Sequence, residues 1–205
     1  MANVNKPAGF IPVGYLNGSH WNGQARLYSV AASNTYAIAI GDPVISDGTA
    51  DSNGVPGVVR AGTTGSVTGA LRGVCVGVGT SEGLIANPAG LDKTYWPASS
   101  ASVGYIMVVD DPAVIFEIQE ESNGTALAAT EVGLNTVCLV AANNGYVSGF
   151  VVRSVSGATP ATTATLNLRL LGLNRKLGNA FGAYAKWLVK INVHELGGGT
   201  GAAGV

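Results

Sequence analysis

Leu166, Leu168 and Leu170 alternate with Thr165, Asn167 and Arg169, and the same period of two returns elsewhere. Trp187, Val189, Ile191 and Val193 alternate with Lys186, Leu188, Lys190 and Asn192; Val114, Phe116 and Ile118 alternate with Ile115, Glu117 and Gln119. Side chains that change face at every residue belong to an extended backbone, so each run predicts a strand with one apolar face turned inward. Glycine fills 30 of the 205 positions. Each glycine inside a helix costs about 1 kcal/mol relative to alanine, which argues against a helical protein. The best helix candidate, 180–188, is itself interrupted by Gly182.

Eleven strands are expected: 25–31, 36–40, 43–46, 58–61, 70–78, 105–109, 114–120, 136–141, 149–155, 165–171 and 186–194. Turn signals separate them, among them Asp47-Gly48, Asn53-Gly54, Asn123-Gly124 and Asn143-Asn144-Gly145. Short strands at this spacing predict an all-β fold: a single β-sandwich or barrel, jelly-roll-like. No repeat of fixed period suggests a solenoid or propeller. Around this core domain (25–196) lie two segments of different character. Residues 1–24 hold Phe10, Ile11, Val13, Tyr15, Leu16 and Trp21 among Gly, Pro and Asn without a clear period, and read as an extended arm docked on its own core or on a neighbour. Residues 197–205 are Gly-rich and read as a flexible tail.

Charge limits the function classes. Charged residues make up 11% of the chain, against roughly 25% in ordinary soluble domains, and mean hydropathy is +0.31. No apolar run approaches the ~18 residues needed to span a bilayer as a helix. Net charge is −1 with no basic stripe, so neither a membrane nor a nucleic acid is expected as partner. A surface poor in charge suits a subunit covered by copies of itself or by another protein. The N-terminus lacks the apolar segment of a secretory signal, which predicts residence in the cytoplasm of the producing cell.

Several motifs imitate chemistry. Gly79-Thr80-Ser81-Glu82-Gly83 has the form of a hydrolase nucleophile elbow, but Pro88 and Gly90 break the helix that must follow the serine. Gly199, Gly201 and Gly204 have dinucleotide-loop spacing with no strand before them. Asp110, Asp111, Glu117, Glu120 and Glu121 are a cation cluster only if their oxygens converge; otherwise they form an acidic turn. His20 and His194 read as surface residues. Cys75 and Cys138 sit in apolar runs and read as buried free thiols, with a disulfide between them as the alternative. Tyr95-Trp96 is either an exposed recognition pair or the anchor of a long loop. No catalytic, cofactor or metal site is expected.

Four blocks point to a family. Asn3-Val4-Asn5-Lys6-Pro7 in the opening ten residues, Tyr95-Trp96-Pro97-Ala98, Val109-Asp110-Asp111-Pro112-Ala113 within 108–119, and Asn179-Ala180-Phe181-Gly182-Ala183-Tyr184 within 179–192 recur in that order. The chain in this respect resembles virion structural proteins of tailed bacteriophages, similar to capsid cement or decoration proteins. The resemblance implies a β-rich, non-enzymatic protein that binds the outside of the assembled head as a homodimer or homotrimer and stabilises it. Its partners are then the phage major capsid protein and itself, and its location the capsid surface after assembly in the host cytoplasm. The expected interface is Phe10, Ile11, Tyr15, Leu16, Trp21, Tyr95 and Trp96. The alternative is a tail or fibre protein recognising host glycan through Tyr95, Trp96 or Trp21.

Overall fold

Alternating residues give strands here because each run can bury one face, and Gly and Asn/Asp turns separate the runs. The computed structural model describes residues 3–79, 93–141, 147–153 and 159–205. In chain order the strands begin with β1 (Ile11–Tyr15), β2 (Arg26–Val30), β3 (Ile38–Ala39), β4 (Pro43–Ala50) and β5 (Pro56–Arg60). They continue with β6 (Gly65–Ser66), β7 (Gly73–Gly79), β8 (Tyr95–Trp96), β9 (Gly104–Val109) and β10 (Val114–Gln119). Last come β11 (Asn135–Thr136), β12 (Cys138–Val140), β13 (Phe150–Val152), β14 (Leu168–Leu173) and β15 (Lys186–Ile191). The fold is all-β, as the alternation predicts. The helix candidate at 180–188 is instead a turn that enters β15.

β2, β5, β4, β7 and β9 close into a barrel. Its seam is a parallel contact of β2 on β5, registered through Ser29 and Gly57, while the other pairings are antiparallel. Val30, Val44, Val58, Cys75, Ile106 and Val108 fill it. A five-stranded sheet in the order β1-β10-β15-β14-β11 stands beside the barrel. Its buried face carries the predicted alternation: Val114, Phe116 and Ile118 from β10, Trp187, Val189 and Ile191 from β15, Leu168 and Leu170 from β14. A three-stranded sheet, β13-β12-β6, adds Cys138, Phe150 and Val152 to the same core.

Both expected appendages are folded in. The N-terminal segment is no separate arm: β1 pairs antiparallel with β10, with a register shift between Pro12 and Gly14. Before it, Lys6 N donates to Gln119 Oε1 (2.7 Å), Gln119 Nε2 donates to Asn5 Oδ1 (2.9 Å) and Asn3 Nδ2 donates to the Ala180 carbonyl (2.8 Å). Burying a large apolar side chain contributes about 1.5–3 kcal/mol, and the segment's own core is the nearest place to do it. The C-terminal tail is likewise docked. Asn135 Nδ2 donates to the Ala202 carbonyl (2.8 Å), Ala202 N donates to Asn192 Oδ1 (3.1 Å) and Val205 N donates to the Gly133 carbonyl (3.2 Å). Gly201 permits this approach, since a Cβ there would lie 2.0 Å from the Ala164 carbonyl oxygen. Cys75 and Cys138 are free and buried, one in each core. Burial raises both thiols, Cys138 to about 12, so neither is a nucleophile near neutral pH.

Candidate interaction surface

The apolar N-terminal residues fall into a hairpin. After β1 the chain reverses at Asn17-Gly18, where Gly18 takes φ +89° and Asn17 Oδ1 accepts from Ser19 N (3.0 Å) and Ser19 Oγ (2.7 Å). Tyr15 N then donates to the Ser19 carbonyl (2.9 Å) and Trp21 N to the Val13 carbonyl (3.3 Å). The returning segment so covers part of the outer edge of β1, an edge strand. Tyr15 Oη donates to Asn22 Oδ1 (2.8 Å), and Leu16 N donates to the Ala113 carbonyl (2.9 Å). The hairpin is held at its tip, its flank and its base.

The seven residues expected at an interface separate into three groups. Phe10 is 1% exposed and meets Phe116 edge to face at 5.9 Å, so it anchors the core and leaves the interface set. Trp96 leaves it too. It is buried in the barrel core, where β8 pairs with β3, and Lys93 Nζ lies 5.4 Å from its ring centroid. Gly104 lies so close that a Cβ there would be 2.2 Å from the indole. Gly104→Ala is expected to lower stability by about 2–3 kcal/mol through overpacking, read by urea unfolding with tryptophan fluorescence as the probe. Tyr15 and Trp21 are half-buried against the main core, and Tyr95 is half-buried beside Trp96. Ile11, 40% exposed, and Leu16, 49% exposed, remain as free apolar surface on the hairpin.

The acidic residues have separate structural tasks. Asp110 accepts from Tyr28 Oη (2.7 Å) and pairs with Arg26 (3.4 Å); burial, then this bond, raises the Tyr28 phenol to about 12. Asp111 Oδ1 accepts from Ala113 N (2.8 Å), closing the turn before β10. Glu117 is held by Lys176 (2.6 Å), Lys186 (3.6 Å) and Asn174 Nδ2. Glu120 accepts from Leu127 N (2.6 Å) and Trp187 Nε1 (3.0 Å). Among the described residues no three His, Cys, Asp or Glu side chains converge as a metal site. His20 is exposed, but His194 is corrected from surface to interior: it is 2% exposed, and burial lowers its pKa. Its Nδ1 accepts from Leu196 N (3.0 Å), which leaves the proton of the neutral ring on Nε2. Gly79 ends β7, and the rest of the Gly79–Gly83 motif lies outside the described residues.

One surface escaped the sequence reading. Beside the bulge of β14 at Leu170–Gly172, a groove of about 760 Å³ is lined by Val132, Leu171, Leu188 and Phe181 together with Arg175 and Lys176. Its sequence signal is a charge imbalance: no Asp or Glu lies between Glu131 and Glu195, whereas six of the eleven Lys and Arg fall between Arg153 and Lys190. Comparison with known proteins adds no relative, since no family model, curated protein or solved structure matches the chain.

Proposed function

We propose that the chain is a non-enzymatic decoration, or cement, subunit of a tailed-phage capsid, binding the outside of the assembled head and stabilising it. The observation that carries the proposal is the 11–24 hairpin, a rigidly held element that turns Ile11 and Leu16 to solvent from the edge of the main sheet. The resemblance of the four sequence blocks supplies the class of partner, the major capsid protein of the shell. The hairpin lies on that protein while the barrel and main sheet supply a stiff body. A ligand that binds assembled shells and not free capsid subunits stabilises the shell by mass action, and occupancy of many equivalent sites multiplies the effect.

The test is co-sedimentation of the purified chain with assembled heads, wild type against the double substitution Ile11→Ser with Leu16→Ser. Retention is expected to weaken by about tenfold or more, since each buried aliphatic side chain contributes about 1.5–3 kcal/mol and 1.4 kcal/mol is a factor of ten. Equal retention of both proteins removes the hairpin from the interface, and absence of wild-type retention removes the capsid reading itself. The glycan-binding alternative now rests on Tyr95 and Trp21, because Trp96 is enclosed. Glycan-array binding without retention on heads would put it in first place.

A further inference from the structure

We infer that the groove beside β14 and β15 docks a second copy of this chain, through the acidic pocket at the opposite end of the same sheet. The groove side is apolar and basic. Arg175 is exposed with no ion-pair partner among the described residues, and Lys176 and Lys186 share the single carboxylate of Glu117. Leu177 in the same loop is 100% exposed, and Phe181 stands half out of the surface against Trp187, with ring centroids 5.7 Å apart. A fully exposed leucine beside the apolar groove residues Val132, Leu171, Leu188 and Phe181 is surface that water covers poorly.

The complementary patch is in the same molecule. A pocket of about 520 Å³ lies where the chain passes from β9 into β10, lined by Asp110, Asp111, Pro112 and Leu196, with Arg26 paired to Asp110 at its rim. Asp111 is exposed and Leu196 is about half so, which places a carboxylate next to an apolar group. The two patches cannot meet within one chain. Register pairs Gln119 with Lys186 at one end of the β10–β15 ladder and Ile115 with Lys190 at the other. The groove loop leads into Lys186 and the acidic turn leads into Val114, so they lie about 20 Å apart, one strand length. Positive and apolar at one end, negative and apolar at the other, lets the groove of one copy meet the acidic pocket of its neighbour, either head to tail or twice over in a two-fold pair. Such a contact excludes a symmetric dimer built on either patch alone. The pocket adjoins the base of the 11–24 hairpin, whose Gln24 helps to line it, so the contact is tested with no capsid present.

The test uses the purified full chain without capsids. Sedimentation velocity between about 1 μM and 1 mM should show mass rising with concentration at about 50 mM salt and falling back at about 1 M salt. Two variants carry one damaged patch each: Arg175→Glu with Leu177→Asp, and Asp111→Asn with Leu196→Lys. Asparagine keeps the oxygen that accepts from Ala113 N. Each variant alone should remain monomeric, and an equimolar mixture should form a pair and nothing larger, because one intact groove then meets one intact acidic pocket. Carbodiimide coupling of the wild type should join Asp111 to Lys176 between molecules, a readout that does not require the variants to fold. A wild type that stays monomeric throughout, association untouched by both variants, a mixture that does not pair, or coupling that never joins these residues would each overturn the inference.

Discussion

Phe10→Ala lowers the unfolding free energy by about 3–5 kcal/mol, the range for a phenylalanine removed from a packed core. The side chain is fully enclosed and meets Phe116 of β10 edge to face, so its loss removes both area and a favourable ring geometry. The effect should also be directional. Phe10 sits immediately before β1, and its amide donates to the Gly41 carbonyl (2.9 Å), tying the start of the hairpin to the segment between β3 and β4. Amides of the 11–24 hairpin should therefore exchange faster in the variant than amides of β14 and β15, beyond the change expected from global destabilisation. Chemical denaturation gives the first number and hydrogen exchange the second. A loss below about 1 kcal/mol would mean that the N-terminal segment does not belong to the core.

Glu120 carries the second large effect, with an unusual sign. Burial raises its carboxyl from 4.5 to about 7, against the bonds from Leu127 N and Trp187 Nε1 that favour the ionised form. Between these two values the folded chain holds a proton that the unfolded chain has released. The contribution of this group is complete below pH 4.5 and is lost as pH rises through about 7, the reverse of an ordinary paired carboxylate. Its size should be about 2 kcal/mol, from the shift and the 1.36 kcal/mol carried by each pH unit, reduced for screening. Glu120→Gln, which mimics the protonated acid, should remove the slope: the stability of wild type minus variant falls between pH 4.5 and 8, read by urea unfolding at each pH. Glu120→Ala leaves two buried donors without an acceptor and should cost about 3 kcal/mol near pH 4.5, a cost that shrinks toward pH 8 with the same slope as the Gln comparison. A wild-type-minus-Gln difference that is flat or rises with pH would show that burial does not raise this carboxyl.

The parts of the fold visible in the sequence are those where one physical pattern runs uninterrupted. Val114, Phe116 and Ile118, like Trp187, Val189 and Ile191, alternate over a full strand, and both sets face the core. β1 was not visible because Pro12 and Gly14 interrupt its alternation and a register shift falls between them. At His194 the alternation of β15 no longer applies, because the ladder has already ended. β15 stops at Ile191, and Asn192, Val193 and His194 are all buried as the chain leaves the sheet to pair with Leu71. Composition does not separate a glycine in a loose linker from one, such as Gly201, whose missing Cβ lets two backbones touch. At the interaction surface the large apolar residues were visible but their directions were not. Phe10 and Ile11 are neighbours, and only the pairing with β10 sends one inward and the other to solvent. The groove required charges counted over a long stretch of chain, with the phase of β14 reset by a bulge whose one mark in the sequence is Gly172.

The position of β15 has a consequence for how the protein is made. It is the last strand in the sequence yet the middle strand of the main sheet, between β10 and β14. While the ribosome is still adding residues before 186, β10 and β14 wait without the partner that joins them, each with an unpaired ladder edge. The sheet therefore assembles after most of the chain has emerged, and translation order cannot fold it piece by piece. On a crowded polysome, the waiting edges of one nascent chain are open to the finished β15 of another. Strand exchange between copies is then the characteristic failure of crowded synthesis, and fewer ribosomes on each message is the remedy that this topology suggests.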